Sequence, residues 1–198
     1  MAQAIFISRG FSCYRLIYIV ISVFCLIATS SLQAAALPIP KPPSTGAKAF
    51  IIQDFGSGRV LAENNSDQSV EPASITKLMT AMVILDGSLP MDEKITIVKA
   101  DRDLIQLTAS RLEKGARLTR KQMLRLALMA SENKAANARA RTWPGGEKEF
   151  LKAMNRKARK LGMTTSRFAD PAGLDPGNVA SAEDLAKMVR AALKYPLI

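Results

Sequence analysis

The chain has 198 residues, with 28 Lys and Arg against 17 Asp and Glu, two Cys and no His. This length suits one domain with a core of its own, and the lack of histidine excludes a Ser-His-Asp triad and any zinc site with histidine ligands. The basic balance suits nucleic acid, anionic lipid or an acidic cell wall as a partner, but nucleic acid is a poor match for the exported protein that the next segment predicts. The basic residues are spread along predicted helices, so much of this charge is expected to form a solvated face.

The first 36 residues have the organisation of a secretory signal peptide. Arg9 and Arg15 form a positive start, residues 16–28 are apolar and uncharged, and small residues at 34–36 suit cleavage. We therefore expect an exported protein of the periplasm. The alternative is that the segment stays uncleaved and attaches the protein to the inner membrane, which would be its one contact with a membrane. Both cysteines lie in this segment, so neither a disulfide nor a metal site is expected in the domain that follows.

A proline-rich stretch over residues 37–46 predicts an extended linker. The domain, residues 47–198, then begins with a predicted β-hairpin. Its strands are residues 48–54 and 59–63, and the glycines on either side of Ser57 favour a turn between them.

The next element carries a Ser-x-x-Lys motif, formed by Ser74 and Lys77. Pro72 stands just before an apolar run over residues 78–85 that predicts a buried helix, which places Ser74 in the first turn. Residues three apart share one helix face, so the hydroxyl and the amine can meet. Backbone N–H groups at that helix end lack intrahelical partners and can hold an oxyanion. Serine is also a common helix cap, so this motif alone has an ordinary structural explanation.

The rest of the chain predicts mostly helices. A short strand is expected over residues 95–98, and Thr119 with Gln122 forms a capping box at the start of an apolar helix. Hydrophobic periodicity and flanking glycines predict three further helices, over residues 135–141, 147–161 and 182–194. A Pro/Gly loop over residues 170–178 is expected before the last of them.

A second motif, Ser131-x-Asn133, interrupts the helical stretch that follows the capping box. Its side chains are expected at a junction between two helices. Ser and Asn also suit a helix stop and restart. The two motifs in this order are much less probable by chance than either one alone.

With both motifs, the chain resembles the low-molecular-weight penicillin-binding proteins, the serine D-alanyl-D-alanine carboxypeptidases. The resemblance runs from about Ala47 to Ile198, and Glu132 with the sequence Tyr195-Pro196-Leu197-Ile198 is most similar to the D-alanyl-D-alanine endopeptidase subgroup. It implies an α+β penicillin-binding/β-lactamase-like transpeptidase fold, in which an antiparallel sheet has helices on both faces beside a helical subdomain. The segments that carry it are residues 72–80, 126–133, 161–163, 168–174 and 181–185.

The resemblance also implies roles for four residues. Ser74 is the expected nucleophile, Lys77 the base that takes its proton, and Ser131 the group that passes a proton to the leaving amine. Asn133 is expected to hold Lys77 and to hydrogen-bond the substrate's amide. A lysine acts as a base only if its pKa falls from about 10.4 towards neutrality. No metal or organic cofactor is implied; the implied partners are peptidoglycan peptides and, as covalent inhibitors, β-lactams.

One feature of that family is missing from the sequence. Its third motif, Lys-Thr-Gly, lies on a strand downstream of the second motif, and no Lys-Thr-Gly occurs here. We therefore expect a catalytic domain that is incomplete at its C-terminus, from a truncated reading frame or a fragment, with only the first hairpin of the sheet and impaired activity. Two alternatives remain open: an inactive penicillin-binding remnant, and a β-lactamase-like acyl hydrolase, for which no deacylating glutamate is evident.

Overall fold

The computed structural model describes residues 45–105 and 107–198. The predicted signal peptide and all but the end of the predicted linker lie outside the described residues. No helix in the described part of the chain has the length and apolar character needed to cross a membrane. The described residues form an α+β domain with five α-helices and two small antiparallel sheets.

The predicted hairpin is confirmed. Strand β1 (Phe50–Gln53) pairs antiparallel with strand β2 (Val60–Asn64), and the register shifts by one residue after Ile52. The turn closes with a bond of 2.8 Å from the N–H of Asp54 to the carbonyl of Arg59. Glycine suits this turn because Gly58 has a φ of 74°.

Helix α1 (Thr76–Asp86) follows the hairpin and is buried on almost all sides. Its apolar residues explain this position, because a helix that is hydrophobic around its circumference belongs in a core. The helix begins later than expected, at Thr76. Ser74 therefore lies in the 3-10 turn Ala73–Ile75, which leads into α1. The expectation that Ser74 would lie in the first turn of the α-helix is wrong by this short segment.

A second antiparallel sheet follows, of which the sequence predicted one strand, over residues 95–98, but not its partner. Strand β3 (Lys94–Thr96) pairs with strand β4 (Arg117–Thr119), and Ile95 lies opposite Leu118. The described residues contribute only the first hairpin to its sheet, as expected, because β3 and β4 form a separate two-stranded sheet. These strands have three residues each, which is too short for a period-of-two pattern to stand out.

The next two helices meet at the second motif. Helix α2 (Arg120–Met129) starts at the predicted capping box, where the Thr119 side chain accepts a hydrogen bond from the N–H of Gln122. Helix α3 (Asn133–Arg141) starts after three intervening residues, 130–132. The junction between them is therefore only three residues long, which fixes where the side chains of the motif point.

Two longer amphipathic elements complete the fold. Helix α4 (Gly146–Lys160) and helix α5 (Ala182–Ala192) each bury one face, as their periodicity predicts. Ser181 caps α5, as expected, by accepting a bond from the N–H of Asp184. The loop between the two helices covers the start of α1.

Two hydrophobic clusters hold these elements together. The first lies between α1, α4 and α5 and includes Met79, Phe150 and Met188. The second lies between the β3–β4 sheet, α2 and α3 and includes Ile95 and Met123. The 3-10 turn with Ser74 and the junction with Ser131 belong to elements anchored in different clusters. Packing between α1, α2 and α3 therefore brings the two motifs together.

Candidate active site

The 3-10 turn before α1 presents Ser74 at the surface. Ala73 has a φ of 47°, which is uncommon for a residue with a side chain, and the N–H of Ile75 donates to the carbonyl of Pro72 at 3.2 Å. The serine is exposed, whereas Thr76 and Lys77 behind it are buried. An exposed hydroxyl on a sharply bent turn is open to an incoming carbonyl group.

Lys77 lies behind Ser74 and is 2% exposed. Its Nζ donates to Ser74 Oγ at 3.1 Å and to the carbonyl oxygen of Ala172 at 2.8 Å. Burial lowers the pKa of Lys77 below the ordinary lysine value of 10.5, and the nearby carboxylates of Asp170, Glu132 and Asp103 oppose this, in that order. The direction suits a base, because a lower pKa leaves more of the amine neutral.

Ser131 reaches the same hydroxyl from the junction between α2 and α3. Its Oγ donates to Ser74 Oγ at 2.9 Å. The residue has a φ of 53°, and the N–H groups of Ala130 and Glu132 on either side both donate to the carbonyl of Leu126. The helix end therefore holds Ser131 in a left-handed conformation that turns its side chain towards Ser74.

Asn133 is placed differently from the expectation. Its Nδ2 donates to Thr108 Oγ1 at 2.8 Å, and its Oδ1 is buried with no hydrogen-bond partner among the described residues. Lys77 takes its acceptors from Ser74 and Ala172 instead. The expected bond from Asn133 to Lys77 is therefore absent between these described residues, because Thr108 orients the amide.

Thr108 belongs to a loop that the sequence did not single out. Its Oγ1 donates to Asp103 Oδ2 at 2.7 Å, and its N–H donates to the same oxygen at 2.9 Å. Asp103, Thr108 and Asn133 therefore form a chain of hydrogen bonds that leads to the second motif. The partners are distant in the sequence, so no local pattern predicts this contact.

The loop before α5 supplies the carbonyl group that binds Lys77. Asp170 organises this loop: its carboxylate accepts bonds from the N–H of Gly173 at 2.8 Å and from the N–H of Leu174 at 3.1 Å, and it also accepts from Asn178 Nδ2. The sequence predicted a Pro/Gly loop here but gave Asp170 no role. An aspartate that binds backbone N–H groups a few residues ahead is typical of such turns.

Gly173 explains how this loop approaches the nucleophile so closely. Its φ is 85°, and a Cβ atom added there would lie 1.9 Å from the carbonyl oxygen of Ala73. Backbone therefore packs directly against backbone at the turn that carries Ser74. Only glycine satisfies both the positive φ and the close contact.

The assembled cluster contains an exposed hydroxyl with two hydrogen-bonding neighbours. Ser74 and Lys77 meet as predicted from their spacing, and Ser131 joins them from the junction between α2 and α3. A hydroxyl next to a buried amine and a second hydroxyl is the arrangement required for a nucleophile with a base and a proton relay.

The chain belongs to the D-alanyl-D-alanine carboxypeptidase family, peptidase S11, whose model matches residues 37–198. The sequence is 41% identical to a D-alanyl-D-alanine endopeptidase of Pseudomonas aeruginosa over 182 residues, which cover 92% of this chain and 58% of that protein. It is 44% identical to a D-alanyl-D-alanine endopeptidase of Escherichia coli over 165 residues, which cover 83% of this chain and 53% of that protein. The chain therefore spans little more than half the length of these relatives.

Solved structures give the same family. A D-alanyl-D-alanine carboxypeptidase of Mycobacterium tuberculosis is 33% identical with a TM-score of 0.70, and the match covers 83% of this chain and 61% of that one. An S216A variant of the Streptomyces K15 DD-transpeptidase is 29% identical with a TM-score of 0.73, covering 79% and 64%. The α+β fold is thus that of the penicillin-binding peptidases, as the sequence predicted.

Proposed function

We propose that this chain carries the nucleophile, base and proton relay of a serine-type D-alanyl-D-alanine peptidase that acts on peptidoglycan peptides. The observation that carries the proposal is the convergence on Ser74 Oγ of Lys77 Nζ, at 3.1 Å, and Ser131 Oγ, at 2.9 Å. Membership of the family supports the same reaction class. The reaction is acyl transfer, and it needs no metal or organic cofactor.

The first half of the proposed reaction acylates Ser74. The neutral amine of Lys77 takes the Ser74 proton while Oγ bonds to the carbonyl carbon of the D-alanine before the scissile bond. Backbone N–H groups around the turn stabilise the resulting oxyanion. The carbon–nitrogen bond then breaks, and the leaving amine receives a proton through Ser131. Asn133 is assigned to binding the substrate's amide from the start of α3.

The second half of the reaction hydrolyses the ester. A water molecule loses a proton to the basic group of the site and attacks the ester carbonyl, and Ser74 leaves with a proton. β-Lactams enter the same first step, because their strained amide carbonyl also acylates Ser74. We infer an endopeptidase that cuts cross-links, since the two relatives at 41% and 44% identity carry that name.

A second candidate function is a penicillin-binding remnant without catalysis. It rests on the lack of Lys-Thr-Gly among these 198 residues, which span little more than half the length of the relatives. That motif would supply a cation for the substrate carboxylate and one oxyanion donor, and loss of one such donor alone costs ~10²–10³ in rate. Turnover of a chromogenic β-lactam tests the third possibility, a β-lactamase-like hydrolase.

We also propose that the protein acts after export, in the periplasm. The support is the signal-peptide organisation of residues 1–36. N-terminal sequencing of the exported protein should find a start between Ala35 and Leu37. Recovery of intact Met1 in the membrane fraction would show an uncleaved anchor instead.

Labelling with a fluorescent penicillin tests the proposed nucleophile. The chain should form a stable adduct whose mass maps to Ser74, and Ser74→Ala should abolish it, because the variant loses only a hydroxyl. Ser69→Ala is the matched control, since Ser69 is also an exposed serine and lies outside the cluster. An adduct on Ser131 would overturn the assignment, and a folded chain that is never labelled would support the remnant.

A further inference from the structure

Five cationic side chains line one open cleft on the exposed side of α4. The cleft has a volume of about 700 Å³ and one carboxylate among its lining residues, that of Glu147. All five cations are exposed. They are Lys148, Lys152, Arg156, Arg159 and Arg167.

These charges are poorly compensated within the fold. Lys152 pairs with Glu149 at 2.6 Å, whereas the other four cations of the cleft form no ion pair with any residue in the described ranges. Lys157, on another face of α4, contrasts with them because it pairs with Asp86 at 2.9 Å. Cations spaced three or four residues apart on a helix repel one another and destabilise it. The helix dipole favours Arg159 in the last turn, but helix stability does not explain the cations at 148, 152 and 156.

The shape of the cleft suits an extended chain. From Lys148 to Arg159 the helix rises by about 16 Å, so the charges form a row along its axis. Leu151 and the buried ring of Phe168 provide an apolar floor between the cations. A strand-like polyanion can contact such a cleft along the whole row of cations. A flat bilayer would contact only the rim of the cleft.

The cleft borders the loop that supports Lys77, because Phe168 and Ala169 line it at the start of that loop. Glu147 lines both the cleft and the neighbouring pocket beside Asp170 and Leu174. Phe168, in the floor, leads within a few residues to Ala172, whose carbonyl accepts the bond from Lys77. A polymer lying in the cleft would therefore end beside the loop that supports the catalytic lysine.

We propose that this α4 cleft binds a carboxylate-bearing peptide strand of peptidoglycan, at a segment next to the one that reacts. The inference rests on the proposed function, which makes peptidoglycan the polymer that this chain meets. Binding arises from the attraction between carboxylates and the row of cations, so it weakens as salt concentration rises. The cleft acts in retention and orientation of the polymer and takes no part in the chemistry.

Sedimentation with purified peptidoglycan sacculi tests the cleft. The whole chain is used with Ser74→Ala, so that acylation contributes nothing to binding. Lys148→Glu, Arg156→Glu and Arg159→Glu together should weaken binding at least about tenfold. The matched control reverses three exposed cations elsewhere, Lys99→Glu, Lys114→Glu and Lys121→Glu, with the same change in net charge, and should stay within about twofold.

Each outcome decides the proposal. A loss confined to the cleft variant, with equal melting temperatures for both variants, supports it. Equal losses in the two variants would show attraction by net charge alone, and no binding of the parent chain would overturn it. Binding to vesicles of phosphatidylglycerol and phosphatidylcholine but not to sacculi would assign the cleft to a membrane. Failure of penicillin labelling leaves these results unchanged, so the two proposals fail separately.

Discussion

Two regions of this molecule each bury a cation, but only one of them supplies hydrogen-bond acceptors and nearby carboxylates for it. Lys77, behind Ser74, has two hydrogen-bond acceptors and three nearby carboxylates. Arg139, in the last turn of α3, is 0% exposed, and none of its three nitrogens has a hydrogen-bond partner in the described part of the chain. Burial and the neighbouring Arg120 lower the pKa of Arg139 to about 9. Hydrogen bonds and carboxylates offset the cost of burying Lys77, whereas the burial of Arg139 without partners lowers the stability of the fold.

The largest expected effect comes from removing the supported cation. Lys77→Ala should slow acylation by penicillin by ~10²–10⁴-fold, because the proton of Ser74 loses its acceptor. Stopped-flow labelling measures this rate. Lys121→Ala, which removes an exposed cation on α2, is the control for charge and should label normally. Equal rates in the parent and Lys77→Ala would remove Lys77 from the mechanism.

The pH dependence of acylation sharpens the same point. The pKa of Lys77 lies below 10.5, so the neutral amine accumulates at lower pH than for an ordinary lysine. Acylation should therefore rise with pH and level off below pH 10.5. A rate that still climbs at that pH would contradict the lowered pKa. The rise should be missing from Lys77→Ala.

A second variant breaks the support around Lys77 through the backbone. Gly173→Ala should cost roughly 3 kcal/mol of stability and move the Ala172 carbonyl, because its Cβ would lie 1.9 Å from the carbonyl oxygen of Ala73. Gly162→Ala is the control: Gly162 has a φ of 71° but nothing within 4 Å of an added Cβ, so it reports backbone strain alone. Chemical denaturation should separate the two, and equal losses would show that the close contact relaxes freely.

The unsupported cation gives the opposite sign. Arg139→Leu should raise the free energy of unfolding by about 2 kcal/mol, because an apolar side chain replaces a buried charge without partners. Arg141→Leu on the same helix is the matched control. It should lower stability, because it strips the buried Asp101 of its partner at 2.7 Å. A loss of stability in Arg139→Leu would mean that the guanidinium has partners in solution.

The smallest expected effect comes from removing the hydrogen bond between Asn133 and Thr108, beside the site. Thr108→Val removes the acceptor of Asn133 Nδ2 with little change of shape, and should slow acylation by about fivefold. Thr108→Ser should restore the rate, since it keeps the hydroxyl. Thr164→Val, at an exposed threonine, should have no effect. An unchanged rate in Thr108→Val would show that Asn133 keeps its orientation without this bond.

The sequence predicted the parts of the fold that have strong local signals. The capping box at Thr119, the cap at Ser181 and the amphipathic pattern of α4 each fixed one helix correctly. Strand β3 was expected over residues 95–98, but β4 was missed because pairing with β3 across a long loop holds it in place. Strands of three residues carry too little periodicity to identify from sequence.

In the candidate site, too, the contacts set by local spacing were predicted and those set by long-range packing were not. The distance between Ser74 and Lys77 follows from their spacing, and their meeting with Ser131 was expected only from the resemblance. The Ala172 carbonyl and Thr108 were not predicted, because both act across long separations in sequence. Such contacts depend on how the helices pack, and no local pattern records that packing.

The left-handed conformation of Ser131 links activity to durability. A residue with a side chain at a φ of 53° stores strain that glycine would release. Selection for a sturdier fold would therefore favour Ser131→Gly and erase the hydroxyl next to Ser74. The same holds for Ala73, at a φ of 47°, on the other side of the nucleophile. In a site of this kind, the strained backbone conformations at Ala73 and Ser131 are kept because the side-chain arrangement around Ser74 depends on them.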